Sequence, residues 1–217
     1  KSYLLAMGFD NILDKDHFPE KEMNAKWGVH DHVLFEKVFE DYILANTEKM
    51  QVALSLSSHP PYDIPEPNTW HEKDEETQFI NSAHYTDKHF GILLDKMSQT
   101  PNWKNTLVIV LADHGCRFPG NVPYHVPEKF KIPILWTGGI IQIDSMSDAV
   151  TSQQDICASL LSQLDIPFDE FTFSQNIFSI HYKPFAYYAF NNGITWIDED
   201  GSFIYSLDKL NWISDNP

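Results

Sequence analysis

Residues Asn105 to Gly120 read "NTLVIVLADHGCRFPG". Leu107 to Ala112 are apolar and uncharged, and Asp113 and His114 follow at once, ahead of Gly115. A short uncharged run ending in a turn signal predicts a buried strand over 106–112. In α/β sheets, reactive side chains collect where strands end and loops diverge. This strand therefore delivers a carboxylate and an imidazole to a sheet rim. Both groups suit a divalent ion such as Zn²⁺ or Mn²⁺. Gly115 eases the turn that splays them. A hydrogen-bonded rim residue is the competing reading of a lone histidine, as an ordinary turn is of "SSHPPY" (57–62).

The surrounding pattern supports a layered domain. Val33, Leu34, Val38, Tyr42 and Ile43 fall near helical spacing, with Asp31 as N-cap of a helix running to about Glu48. "QVALSLSS" (51–58) reads as a strand stopped by the Pro-rich "HPPYDIPEP". Residues 74–98 carry an apolar stripe of Phe79, Ile80, Ala83, Phe90, Leu93, Leu94 and Met97 behind an acidic start, which predicts a long helix. A second buried strand, "IPILWTG" (132–138), and a helix over about 152–164 follow. "FAYYAF" and then two alternating runs flanking Asp200-Gly201 predict a short strand and a hairpin. The expected fold is α/β: a mainly parallel sheet flanked by helices with an antiparallel C-terminal hairpin, as one domain over 1–217.

Charge narrows the partners. Thirty-one acidic against 15 basic residues leave a formal net charge of −16 in 217 residues. That field repels nucleic acid, so no nucleic-acid role is expected. No run approaches the roughly 18–20 apolar residues of a spanning helix. Cys116 and Cys157 do not make a disulfide framework. Cys157 on an amphipathic helix reads as core.

Two further histidines stand in telling places. His59 follows the predicted strand end at Ser58, and His125 sits between Pro123 and Pro127 in the loop that Asp113 begins. If the two strands are parallel neighbours, His59, Asp113 and His114 share one rim. Arg117, three residues beyond His114, suits a bidentate contact with phosphate. His17, His30, His32, His71, His84, His89 and His181 read as hydrogen-bonded surface or rim residues. His84 and Asp87 are spaced to pair on a helix face.

Taken in order, the segments resemble the alkaline phosphatase and sulfatase superfamily. "NTLVIVLADHG" is similar to its late metal-binding segment, and "FINSAHYTDKHFGILLDKM" to the helix before it. "LSLSSHPPYDIPE" and "WGVHDHVLFEKVFE" resemble the lipoteichoic acid synthase and phosphoglycerol transferase branch, as do "KFKIPILWTGG" and "SQQDICASLLSQLDI". The resemblance runs from about Tyr3 to Asn192.

It implies an alkaline phosphatase-like fold, incomplete in this chain, within a membrane-anchored enzyme on the outward face of the cytoplasmic membrane. Such enzymes move a phosphoglycerol or similar head group from an anionic lipid to a glycan or glycolipid acceptor. Asp113 and His114 are then implied ligands of a divalent ion (Mn²⁺, Mg²⁺, Zn²⁺ or Ca²⁺). His59 and His125 are implied catalytic contacts to the substrate phosphate, or ligands of a second metal. The family's early acidic ligand and Thr nucleophile have no counterpart here. The chain is therefore expected to be a C-terminal part, inactive alone and a weak metal binder. A sulfatase of the same superfamily, acting on sulfate esters, is the alternative. A non-catalytic domain that binds a glycan or lipid head group is another.

Overall fold

The computed structural model describes residues 1–120, 122–123 and 125–216, with side chains through 212. Along the chain lie α1 (Ser2–Ala6), α2 (Asp31–Ile43), α3 (Glu75–Ser98), β1 (Val108–Leu111), β2 (Ile134–Thr137) and α4 (Asp155–Gln163). The tail adds β3 (Phe185–Phe190), β4 (Gly193–Asp198), β5 (Gly201–Ser206) and β6 (Asn211–Asn216). The class is α/β with an antiparallel C-terminal element. The chain divides into two compact units, Lys1–Ile109 with Trp136–Gln142, and Val110–Leu135 with the residues from Ile143 onward.

In the first unit, α3 starts where the acidic signal places it. Asp74 caps it, accepting from the Thr77 backbone N–H at 2.8 Å and the Thr77 hydroxyl at 2.9 Å. Its buried face is only partly the apolar stripe. Leu93 and Met97 are buried, but so are Asn81, Ser82 and Tyr85, while Ile80 is exposed. Asn81 is buried because it works as a backbone clamp. It accepts from the N–H groups of Thr69 and Trp70 and donates to Trp70 O and Thr77 O, pinning the Pro-rich loop to the helix. A hydropathy pattern carries no signal for that kind of burial.

Helix α2 packs on α3 through Phe35 against Phe90, ring centroids 6.0 Å apart. It begins at Asp31, but Asp31 is not its cap; the N-cap is His30, with no side-chain capping bond. Asp31 is fully buried and serves a different segment. Its carboxylate accepts from the backbone N–H of Leu56 (2.8 Å) and Ser57 (3.1 Å) and from the Thr86 hydroxyl (2.6 Å). The helix stops at Ile43, short of the expected Glu48, where the Asn102 amide takes the carbonyls of Tyr42 and Ala45.

The expected strand at 51–58 does not form. The segment carries no ladder, and Val52 and Leu54 are 62% and 64% exposed. Alternation alone does not make a strand; it needs a hydrogen-bonded neighbour, and this segment is instead tied at Leu56 and Ser57, whose backbone N–H groups donate to the Asp31 carboxylate. The strands β1 and β2 do form, as a two-stranded sheet. They are half-buried rather than buried, with Leu111 and Leu135 exposed. After β2, Gly138 and Gly139 press against the backbone of Thr106 and Trp103; a Cβ there would lie 2.3 and 2.1 Å from their carbonyl oxygens.

In the second unit, β3 to β6 form one antiparallel sheet in sequence order. The expected hairpin is present between β4 and β5, with Asp198 paired to Gly201 across a turn on Glu199-Asp200. Asp198 tightens that turn by accepting from the Asp200 N–H and the Trp196 indole. β3 joins the same sheet through Phe190 opposite Gly193, and Phe185 stacks on Trp196 at 4.8 Å. Helix α4 is tied by Asp155, nearly fully buried, which accepts from the N–H groups of Ser152 and Gln175 and from the Tyr182 hydroxyl.

Candidate functional site

Asp113 and His114 leave the end of β1 as expected, and both side chains are exposed. The imidazole Nδ1 donates to Gly115 O at 2.9 Å, because a carbonyl can only accept. That leaves Nε2 as the free nitrogen, and it lies 3.8 Å from Asp113 Oδ1. The two donors thus face a common volume. Gln153, just ahead of α4, fixes the turn: its side-chain amide donates to Ala112 O at 2.8 Å and Asp113 O at 2.9 Å. Nothing in the sequence marks this glutamine except its place before a helix.

Gly115 is essential here for a reason other than backbone freedom. A Cβ on it would lie 1.9 Å from the carbonyl oxygen of Lys129, so the chain before β2 passes directly over it. His125 is exposed, and its backbone carbonyl accepts from the Tyr188 hydroxyl at 3.0 Å. Tyr188 in turn stacks on Phe130 at 3.8 Å, so β3 supports the His125 loop. Burial pushes the Tyr188 hydroxyl pKa up, which keeps it a neutral donor. Arg117 is the only arginine in the chain and is exposed, its guanidinium 4.7 Å from the Phe118 ring centroid.

His59 belongs to the first unit, on a turn closed by His59 N–H to Leu56 O and Tyr62 N–H to His59 O, both 3.0 Å. Its ring is exposed and meets Trp27 edge-to-face at 5.0 Å. Because 51–58 is not a strand, the shared rim inferred from adjacent strand ends loses its basis. Among the described residues, no group of three or more His, Cys, Asp or Glu side chains is gathered for a metal. Asp113 and His114 are, by donor chemistry, two ligands of the right kind, which is half of a four-coordinate shell.

Three histidines read as rim residues are instead packed together. His30 is buried, His32 stacks beside it at 6.4 Å, and His89 lies 5.5 Å from His32. The Tyr85 hydroxyl sits 2.5 Å from His32 Nδ1, and burial pushes its pKa up to about 12. Glu66 accepts from His89 at 2.7 Å and from Lys88 at 2.6 Å. His84 meets the ring of Trp70 at 5.4 Å. Spacing along α3 places these groups on a face, but only the α2–α3 packing makes them neighbours.

Comparison with known proteins agrees with this architecture. The chain is 25% identical over 124 residues to phosphoglycerol transferase I of Xanthomonas campestris pv. campestris (strain B100), covering 52% of this chain and 18% of that protein. It is 27% identical over 123 residues to phosphoglycerol transferase I of Xanthomonas euvesicatoria pv. vesicatoria (strain 85-10), with the same coverage. The chain thus spans less than a fifth of these relatives. A solved protein of the alkaline phosphatase superfamily from Vibrio parahaemolyticus superposes with a TM-score of 0.79 at 23% identity, covering 97% of this chain and 55% of that one. The lipoteichoic acid synthase LtaP of Listeria monocytogenes gives 0.75 at 20% identity, covering 95% and 59%. The sulfatase family model matches residues 1–166, more than half of the sequence, and this chain therefore belongs to the sulfatase family.

Proposed function

We propose that the protein carrying this chain is a metal-dependent phosphoglycerol transferase-type enzyme. It moves a phosphodiester head group from an anionic lipid to a glycan or glycolipid acceptor. The observation that carries the reading is the Asp113–His114 pair, turned toward one volume and braced by Gln153, in a chain whose relatives are phosphoglycerol transferases. Asp113 and His114 hold the divalent ion (Mn²⁺, Mg²⁺, Zn²⁺ or Ca²⁺). When bound, such an ion neutralises phosphoryl oxygens and lowers the pKa of a coordinated nucleophile.

His59 and His125 bind the substrate phosphate, each with an exposed imidazole able to donate to a non-bridging oxygen or to protonate a leaving group. Arg117 adds a planar donor fork. The Arg117 cation matters in a chain of net charge −16, which otherwise repels an anionic substrate. The reading places the enzyme at the outward face of the cytoplasmic membrane, held there by an anchor. Among the described residues, no helix is long and apolar enough to cross a membrane.

A second reading, sulfate ester hydrolysis, is favoured by the family model itself. The test is to assay the intact protein on phosphatidylglycerol with a glucan acceptor and on an aryl sulfate, with each divalent ion. Phosphoglycerol transfer that chelation abolishes, and that D113N and H114A each reduce at least ~100-fold, is expected. Turnover of the aryl sulfate alone overturns the order of the two readings. Head-group binding without turnover of either substrate identifies a non-catalytic binder.

A further inference from the structure

Residues 25–28 form a tight turn. Ala25 and Gly28 exchange backbone hydrogen bonds, Ala25 N–H to Gly28 O at 3.2 Å and Gly28 N–H to Ala25 O at 3.4 Å. Lys26 and Trp27 are its two tip residues. Trp27 is 51% exposed, yet it is not idle. Its Nε1–H donates to Pro60 O at 2.9 Å across 33 residues of sequence. His59 Nδ1 lies 3.1 Å from the same oxygen. A carbonyl has two lone pairs and no proton, so it takes both donors, and His59 must carry its proton on Nδ1. The edge-to-face contact between the two rings, at 5.0 Å, closes the triangle.

We infer that Trp27 is the positioning residue for His59: by holding the Pro60 carbonyl and the imidazole ring together, it keeps the Nδ1 proton on that carbonyl and leaves Nε2, which donates to a phosphate oxygen only when it too carries a proton, as the one nitrogen offered to substrate. The inference rests on the reading of His59 as a phosphate contact for its consequence in catalysis, but not for the geometry. Lys26, with its ammonium 5.0 Å from the Trp27 ring centroid, places a cation on the same turn. The free rotation of an exposed imidazole is what this arrangement removes, and a fixed donor direction is what a near-attack geometry requires.

Nitrogen NMR of the histidine-labelled full chain tests the positioning directly. Wild type shows His59 protonated at Nδ1, with ring protons shifted by the indole. W27F keeps an aromatic ring but removes the N–H, so His59 populates both tautomers while retaining part of the ring shift. W27A loses both signatures. An unchanged tautomer and ring shift in W27A, in a sample whose remaining spectrum is native, overturns the inference. In the intact protein, W27A lowers kcat for phosphatidylglycerol about 10-fold, and in an H59A background it causes no further loss. A full W27A loss that persists in H59A overturns the positioning role. The NMR changes together with an H59A variant of undiminished turnover leave the positioning standing and remove His59 from the reaction, which separates the two claims.

Discussion

Gln153 donates one side-chain amide to the carbonyls of both Ala112 and Asp113, at 2.8 and 2.9 Å, and so the start of α4 holds the turn that presents the Asp113–His114 pair. Groups that orient a ligand without touching the metal typically change metal affinity by ~10–100-fold. Gln153→Glu replaces the donor with a carboxylate facing two carbonyls. Metal affinity by calorimetry is expected to fall about tenfold, with a loss of folding stability under about 1 kcal/mol because the group is exposed. Equal metal affinity in Q153E and wild type refutes this role.

Gly115→Ala probes the close approach of Lys129. The new Cβ meets the Lys129 carbonyl at 1.9 Å, so backbone must move. Forced overpacking costs about 1–3 kcal/mol. The displaced turn carries Asp113 and His114 with it. A drop in unfolding midpoint together with weaker metal binding is the expected pair of results. Gly91→Ala, in the interior of α3 and meeting nothing within 4 Å, serves as the control: it raises the unfolding midpoint modestly and leaves metal binding unchanged.

Asp31 is a stability prediction with no catalytic content. Its carboxylate accepts two backbone N–H groups and one hydroxyl in a fully buried place. Asp31→Ala strands those donors, each costing about 1–3 kcal/mol. Urea unfolding should show a loss of at least ~3 kcal/mol. Asp31→Asn keeps the volume but turns one arm into a donor, and should recover only part of the loss. An Ala variant within 1 kcal/mol of wild type (order-of-magnitude threshold) contradicts the anchoring of 56–57 on α2.

The histidine cluster predicts a pH dependence of stability. Burial, then the neighbouring His89 and His30, holds the His32 pKa below its ordinary value, against the opposing pull of Glu22 and Glu66. The unfolded chain therefore takes the proton first as pH falls, and stability drops from about pH 6.5 down to the folded pKa and is then level. Glu66 adds to the same direction at lower pH. Its hydrogen bond from Lys88, helped by His89, holds its carboxyl below the ordinary value, so its contribution is present above about pH 4.5 and is lost as pH falls through the folded pKa. Urea midpoints measured from about pH 7.5 down to about pH 3 should fall in two stages. His32→Gln should flatten the upper stage alone; an unaltered upper stage assigns it to another group.

Features encoded locally in the chain form as their residues predict, and those that depend on distant segments do not. Helix α3 was legible because its cap, acidic start and periodicity are all local to 74–98. The β4–β5 hairpin was legible for the same reason, since its turn residues and alternating flanks adjoin. The supposed strand at 51–58 failed because a strand is a pairwise object, and alternation says nothing about whether a neighbour is there to pair with. Asp31 has the residue type of a cap but anchors distant backbone, and only burial tells the two roles apart.

By itself, the sequence determined the class of the chain, the Asp113–His114 pair at a strand end and the family to which it belongs, since each is a matter of residue types in order. Tertiary structure alone decided what supports those residues. Gln153 on the Asp113 turn, Lys129 over Gly115, Tyr188 under His125 and Trp27 beside His59 are contacts across 14 to 63 residues of chain. Such contacts depend on where packing sets each backbone, and no local pattern encodes a distance.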